Sequence, residues 1–398
     1  MQETKTIISK IGILCLISIV TLLTLVSCGG GGEDDLSAPE TTTTAYKEDM
    51  VPITFSGSEG NEATVTRASG TPLYVSAQQF QVWGHKDMKY EAGVYGDMQT
   101  VFPGYTVSWV TNTAYTTTSN TNDWEYVGGD QTIKFWDWSA KAYRFFAVTD
   151  WGTSSGAGGT YGPSDIYQSY NISMPADCSG TTKDEIAANI AATPYFSRLW
   201  FSTGVPADYP DKQFGKPVTL EFLKPLTRVR YIYKYAFPRE GYFIGTQSFA
   251  PSDGTTKIAR KGTVTIIYPL TGTDTKESFA VTRNASPAEG EELTAFTVDY
   301  DPEDDGKNYV TLSSGAMTSD GWYIVAPNMS QGSYKLSVYI NGVEKTAAVP
   351  ANYMSWLPGY SYTYVFKITE EGGVEIGWVE YAVTPWTDIP ADHTVYNW

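Results

Sequence analysis

Apolar and polar residues alternate along most of this chain with a period of two, not with the 3.6-residue period of an amphipathic helix. The alternating stretches are rich in β-branched and aromatic residues and end at Gly, Pro, Asn or Asp, which is typical of strands and turns. The predicted strands are 51–55, 79–83, 131–136, 143–148, 219–222, 228–235, 262–268, 322–326, 334–340, 360–368 and 374–383. Many short strands separated by turns predict an all-β protein built of antiparallel sandwiches.

Two local patterns predict particular elements. Asn341 and Gly342 lie between two alternating runs and predict a two-residue hairpin, because both residues tolerate positive φ. Residues 183–192 are the only stretch with helical spacing, and Pro194 would end that helix.

The N-terminal residues form an unbroken apolar run, 11–26, that follows Lys5 and Lys10. This run is shorter than the ~20 residues that span a bilayer, so it predicts a signal peptide, residues 1–27. Ser27 followed by Cys28 is similar to the lipobox of bacterial lipoproteins, which makes Cys28 the expected lipid attachment site and the mature N-terminus. We therefore expect an outer-membrane protein on the cell surface, held by lipid.

Residues 28–50 contain a glycine run, an acidic run at 33–35 and a Ser, Pro and Thr segment. This composition offers nothing to bury and predicts a flexible tether. Roughly 350 further residues exceed what one hydrophobic core usually serves, so two domains are expected. The polar stretch 205–216 is the best boundary, which gives domains 51–210 and 211–398.

Charge and cysteine content narrow the classes of partner. The formal net charge of −17 excludes nucleic acid as a natural partner. After processing only Cys28 and Cys178 remain, so no internal disulfide is expected, and Cys178 is interpreted as a small packed residue.

Catalytic and metal-binding patterns are weak. Gly152, Ser154 and Gly156 match the spacing of a nucleophile elbow, but a glycine-rich loop follows where a helix is required. His85 and His393 are the only histidines, too few for a His-based zinc site. The acidic run 301–306 resembles the start of a calcium loop, but residue 312 is Leu where Glu is needed. We expect no enzyme, no metal and no cofactor.

Aromatic content suggests a second function, an anchored surface protein that binds carbohydrate without polymerising. The stretch 109–124 begins and ends with Trp109 and Trp124, contains Tyr115 and is rich in Thr and Asn. Exposed aromatic rings beside amides suit sugar stacking. Large aromatic side chains also dominate sandwich cores, however, and burial of the two tryptophans would remove this alternative.

An ordered series of motifs extends over residues 51–386. In the first half it comprises ITF at 53–55, TRA at 66–68, FQVWG at 80–84, Trp136 and YRFFA at 143–147. In the second half it comprises VTLEF at 218–222, LTRV at 226–229, YIVAP at 323–327, WLPG at 356–359, Tyr362, Tyr364 and PW at 385–386. In this series the chain resembles the fimbrillin-like lipoproteins, the pilins and pilin relatives of type V pili.

This resemblance implies two transthyretin-like Greek-key domains and a structural or adhesive role in a fimbrium. It also implies donor-strand complementation with other pilin subunits, after an Arg-specific protease cuts near the first strand. Arg67 and Ala68 match the cut site, and Val51, Ile53 and Phe55 would then belong to the displaced strand.

Several alternatives remain open beside this resemblance. Arg67 is equally compatible with an ordinary solvated loop residue, and relatives that keep the strand serve as anchors or tips. Host proteins or glycans would be the partners of an adhesive subunit. Residues 389–395 could form a donor strand, although Pro390 interrupts the pattern. Lys224 stands where relatives often have His.

Overall fold

A computed structural model of the chain describes residues 51–55, 78–109, 124–149, 161–164, 169–204, 214–235, 244–298, 322–369 and 374–382. All of these residues belong to one compact unit, Asp49–Trp398. Regular structure in them is almost entirely β, which confirms the predicted class. Within these ranges no helix has the length and apolar character needed to span a membrane.

The first half contains strands β1 (Gln79–Asp87), β2 (Met98–Trp109), β3 (Trp124–Glu125), β4 (Ala142–Thr149), β5 (Tyr161–Ser164), β6 (Ser169–Asp177), helix α1 (Lys183–Ala192), β7 (Phe196–Ser197) and β8 (Trp200–Thr203). There follow β9 (Phe222–Leu223), β10 (Thr227–Tyr235), β11 (Ile244–Pro251), β12 (Ile258–Ala259), β13 (Lys261–Pro269), β14 (Ser278–Arg283), β15 (Glu292–Leu293), β16 (Phe296–Val298), β17 (Tyr323–Val325), β18 (Tyr334–Ile340), β19 (Val343–Val349), a 3₁₀ turn (Ala351–Tyr353), β20 (Ser361–Ile368) and β21 (Val374–Ala382).

The largest sheet has the strand order β3-β2-β1-β4-β7-β9, with β8 also paired to β4. We call it the main sheet. Both of its faces are covered, and β4 is consequently buried at all eight positions. Phe145 on β4 faces the first core, whereas Phe146 faces another core on the opposite side. A strand covered on both sides loses the alternation of polar and apolar residues, as the sequence YRFFAV shows.

A four-stranded sheet, β14-β13-β6-β5, covers the second face of the main sheet. We call it the cover sheet. Strand β6 pairs with β13 over nine residue pairs, Ser169 to Asp177 with Pro269 to Lys261. The rings of Phe146 on β4 and Tyr268 on β13 stack with centroids 4.0 Å apart. The cover sheet therefore combines strands from distant parts of the sequence.

The remaining core lies between the sheets β17-β10-β20-β21 and β16-β11-β18-β19. Strands β10 and β20 pair in parallel from Arg228 to Tyr235, and the other pairs in these two sheets are antiparallel. The predicted hairpin is present between β18 and β19, where Asn341 and Gly342 have φ values of 50° and 78°. The predicted helix is also confirmed, with Thr182 and Glu185 forming a capping box at its start.

Three predicted strands are less regular than their patterns indicate. Residues 131–136 and 51–55 form isolated bridges instead of ladders, and 219–222 contributes only the start of β9. Much of the predicted boundary 205–216 lies outside the described residues, but Phe214 and Val218 pack in the first core. The division into domains 51–210 and 211–398 stays a prediction.

Candidate strand-exchange site

Residues 51–55 lie in the middle of the layer that packs against the first face of the main sheet. On one side, the Ile53 amide donates to the Lys134 carbonyl (2.8 Å) and the Trp136 amide donates to the Val51 carbonyl (2.9 Å). On the other side, the Val218 amide donates to the Thr54 carbonyl (2.7 Å). Although its bridges are isolated, the segment is therefore a short extended strand with a backbone partner on each side.

The side chains of this strand complete the first core. Ile53 and Phe55 are fully buried, and the partly buried Val51 packs against the same core. The Phe55 ring meets four others edge to face, with centroids 5.6 to 6.2 Å away, those of Phe80, Phe102, Tyr126 and Phe145. Edge-to-face packing in a closed aromatic box contributes beyond the area buried. Phe55 thus lies fully buried among four aromatic rings of the first core.

Tyr126 fixes one side of the strand through its hydroxyl group. The hydroxyl donates to the Ile53 carbonyl (2.8 Å) and accepts from the Lys134 amide (3.0 Å). Burial raises the pKa of Tyr126 well above its usual range, so the phenol keeps the proton that it donates. Removal of residues 51–55 would leave this buried donor without its first acceptor.

The two borders of the strand are themselves held in place. Trp136 stacks on Phe214 with ring centroids 5.4 Å apart, which connects the border at 134–136 to the chain that leads to Val218. Just beyond Trp136, the Asp137 amide donates to the Tyr143 hydroxyl (2.6 Å). A hydrogen bond and ion pair from Lys86 (2.5 Å) lowers the pKa of the Asp137 carboxyl to about 2.

Gln131 closes the neighbouring edge of the main sheet. Its side-chain amide accepts from the Thr106 amide (2.7 Å) and donates to the Thr106 carbonyl (2.9 Å), as a strand residue would. It also donates to the Tyr126 carbonyl (2.6 Å). The backbone groups of Thr106, on the edge of β2, are thereby paired. In the opposite layer, the strand 51–55 pairs backbone groups of its two neighbours.

Removal of residues 51–55 would leave unpaired backbone groups on the two neighbouring segments, above an apolar trough. We call this space, bounded by residues 134–136, Val218 and the box around Phe55, the strand slot. An extended segment with apolar residues at alternate positions could fill it, because successive side chains of a strand point to opposite faces.

Of the residues predicted for lipid attachment, processing and strand displacement, Val51, Ile53 and Phe55 lie within the described part of the chain. Cys28, Arg67 and Ala68 lie outside the described residues, as do the nucleophile-elbow pattern at 152–156, the acidic run 301–306, His393 and the tail 389–395. Their predicted roles therefore remain predictions.

Trp109 and Trp124 do not form the exposed platform that the carbohydrate hypothesis requires. Trp124 is fully buried, and its ring meets the Trp109 ring edge to face with centroids 5.3 Å apart. Trp109 is partly buried against the same first core. Trp124 therefore belongs to the sandwich interior, and Trp109 packs against this interior from a partly buried position. Tyr115 lies outside the described residues.

Cys178 is fully buried, as its interpretation as a packed residue requires. Its thiol donates to the carbonyls of Arg260 and Ile324, at 3.1 and 3.3 Å. Burial raises the pKa of the Cys178 thiol to about 12, so the reactive thiolate is not formed at neutral pH.

Lys224 has a role that sequence reasoning missed. Its ammonium is buried and donates to the carbonyls of Ile190, Ala191 and Thr193 at the end of α1. It also lies 4.1 Å from the centroid of the Tyr195 ring. Helix α1 has no basic residue in its last turn, and that absence was the available signal that a cation comes from elsewhere.

Comparisons with known proteins find similarity only among solved structures. No family model and no curated protein matches the chain. A protein described as a cell adhesion protein from Bacteroides uniformis shares 13% identity, over 86% of this chain and 100% of that one, with a TM-score of 0.34. A fimbrial assembly protein from Parabacteroides distasonis shares 10% identity, over 80% and 96%, with a TM-score of 0.29. The fimbrial anchor protein Mfa2 from Porphyromonas gingivalis shares 9% identity, over 83% and 96%, with a TM-score of 0.26.

Similarity at this low level does not indicate what the chain does. The proteins to which the chain is similar are adhesion and fimbrial proteins, the same class that the sequence resemblance indicates.

Proposed function

We propose that the chain is a surface lipoprotein that serves as a structural or adhesive subunit of a type V-like pilus. Subunits would join by donor-strand complementation. The observation that carries this proposal is the placement of Val51–Phe55, a short strand that is buried in the core and bonded on both sides. The proposed role needs no catalysis, metal or cofactor.

The position of Arg67 along the chain makes this strand removable. Arg67 follows the strand and precedes β1, so a cut between Arg67 and Ala68 would separate the strand from the body covalently. The strand would then be held only by hydrogen bonds and burial. Each fully buried side chain such as Ile53 or Phe55 contributes about 1.5–3 kcal/mol, so the empty slot would favour replacement by another subunit's strand.

Lipidation at Cys28 would place the uncut protein at the outer membrane, because the lipid is upstream of both the strand and Arg67. The cut would release the body from the lipid in the step that frees the slot. An uncut chain would remain as an anchored subunit whose slot is already filled.

N-terminal peptide mass spectrometry on protein from intact cells tests this proposal, together with an unboiled denaturing gel. We expect the mature chain to begin at Ala68 and to run as a ladder of detergent-resistant polymers. In an Arg67→Gln variant the chain should begin at acylated Cys28 and run as a monomer. Arg283→Gln, on the partly exposed strand β14, is the matched control and should leave the ladder unchanged.

A wild-type chain that begins at Cys28 and runs only as a monomer would exclude strand exchange for this protein. If the ladder persists unchanged in Arg67→Gln, the chain polymerises, but Arg67 is not the processing site.

A further inference from the structure

Arg144 and His85 lie side by side on the face of the main sheet that points away from the strand slot. They are directly opposite each other in the register of β1 and β4, so they share a face. Arg144 is 1% exposed and His85 is 2% exposed. Neither Nη1 nor Nη2 of Arg144, nor Nδ1 of His85, has a hydrogen-bond partner among the described residues.

Aromatic rings close this site from water. The Tyr95 ring lies 3.7 Å from the Arg144 guanidinium carbon, and the rings of Tyr90, Tyr95 and Phe201 lie 5.4 to 6.0 Å from one another. Over His85 lies the Tyr170 ring, 5.3 Å between centroids.

The loop that carries Tyr95 is fastened to the hairpin between β13 and β14. The Tyr95 amide donates to the Gly272 carbonyl (3.2 Å) and the Tyr95 hydroxyl donates to the Asp274 carbonyl (2.7 Å). The cover over Arg144 is therefore a fixed part of the fold.

The charge of Arg144 is not neutralised by direct contact with a carboxylate in the described part of the chain. Asp87 shares the face, but its carboxylate accepts three backbone amides, those of Lys89, Gly96 and Asp97. Burial lowers the pKa of Arg144 to about 10, so the guanidinium stays charged at neutral pH. Burial, reinforced by the charge of Arg144, lowers the pKa of His85 to about 3 and keeps the imidazole neutral. A buried cation without a direct counter-charge is unfavourable.

We infer that Arg144 and His85 form a binding site for one small monovalent inorganic anion, of which chloride is the abundant example. Both Nη groups of Arg144 would donate to the anion, and His85 would donate from Nδ1 in the matching tautomer. One arginine balances one negative charge, so a monovalent anion matches the site, whereas a divalent one would exceed the charge of Arg144.

Anomalous diffraction from crystals of the protein in sodium bromide tests the site directly. We expect a bromide peak within hydrogen-bonding distance of Arg144 Nη1 or Nη2. An ordered water at this position, or bromide found only on the surface, would overturn the inference.

Thermal unfolding provides an independent test in solution. The melting temperature should rise with chloride concentration when gluconate is exchanged for chloride at constant ionic strength. This rise should disappear in Arg144→Gln and remain in Arg198→Gln, a control arginine that also lies beside an aromatic ring, that of Tyr360, 5.9 Å away. An equal chloride response in both variants would count against the site. If Arg144→Gln does not fold, the bromide experiment on the wild-type protein decides.

Discussion

Lys224 is a buried cation whose acceptors are backbone carbonyls at the end of α1. The last carbonyls of a helix have no partner within the helix, and they carry the negative end of its dipole. The Lys224 ammonium reaches three carbonyls there, those of Ile190, Ala191 and Thr193. Lys224 therefore supports the helix, which is a structural role.

The variant Lys224→Met should lower the free energy of unfolding by about 2 kcal/mol, since hydrogen bonds to charged groups contribute about 1.5–3 kcal/mol. Urea denaturation measures this loss. Lys183→Met, at the exposed first residue of α1, is the control and should change stability by no more than about 0.5 kcal/mol. Equal effects in the two variants would show that the Lys224 contacts contribute nothing particular.

At the scale of single elements, the hairpin of β18 and β19 depends on backbone conformation. Gly342 has φ +78°, and a Cβ atom there would meet nothing within 4 Å. Gly342→Ala should therefore cost about 1 kcal/mol through backbone strain alone. Gly332→Ala is a matched control, because that glycine is equally open and has no positive φ. In urea denaturation the control should be neutral or slightly stabilising, and the same loss in both variants would exclude strain at Gly342 as the cause.

The elements that sequence predicts well are those whose signal is local. The Asn341-Gly342 turn and α1 carry their own turn and capping residues, and both are present as predicted. Strands β2 and β6 were missed because Pro103 and Pro175 interrupt their patterns. Such strands form because long-range pairing outweighs local preference.

The candidate site shows the same limit. Alternation identifies Ile53 and Phe55 as inward-facing residues, but no local pattern shows that Tyr126, Lys134 and Val218 would be their partners. These contacts join residues far apart in the sequence, and only the folded chain brings them together. Arg144 and His85 were unpredictable for the same reason, because their adjacency depends on the register of β1 and β4.

At the scale of the whole molecule, the cover sheet connects the two parts of the chain that the sequence predicts as separate domains. Strands β5 and β6 come before residue 210, and their partners β13 and β14 come after it. At one end of this pairing, Arg260 donates to the carbonyls of Cys178, Gly180 and Gly290. Neither part can unfold completely without exposing the core beneath the cover sheet.

We therefore expect the body of the protein to unfold in a single cooperative transition. Calorimetry on the purified protein should give one peak whose calorimetric and van't Hoff enthalpies agree. Val338→Ala, in the core of the second half, should lower the temperature of that one peak without splitting it, because the shared sheet transmits the loss. Two peaks, with only one displaced by Val338→Ala, would instead establish two independently folding domains.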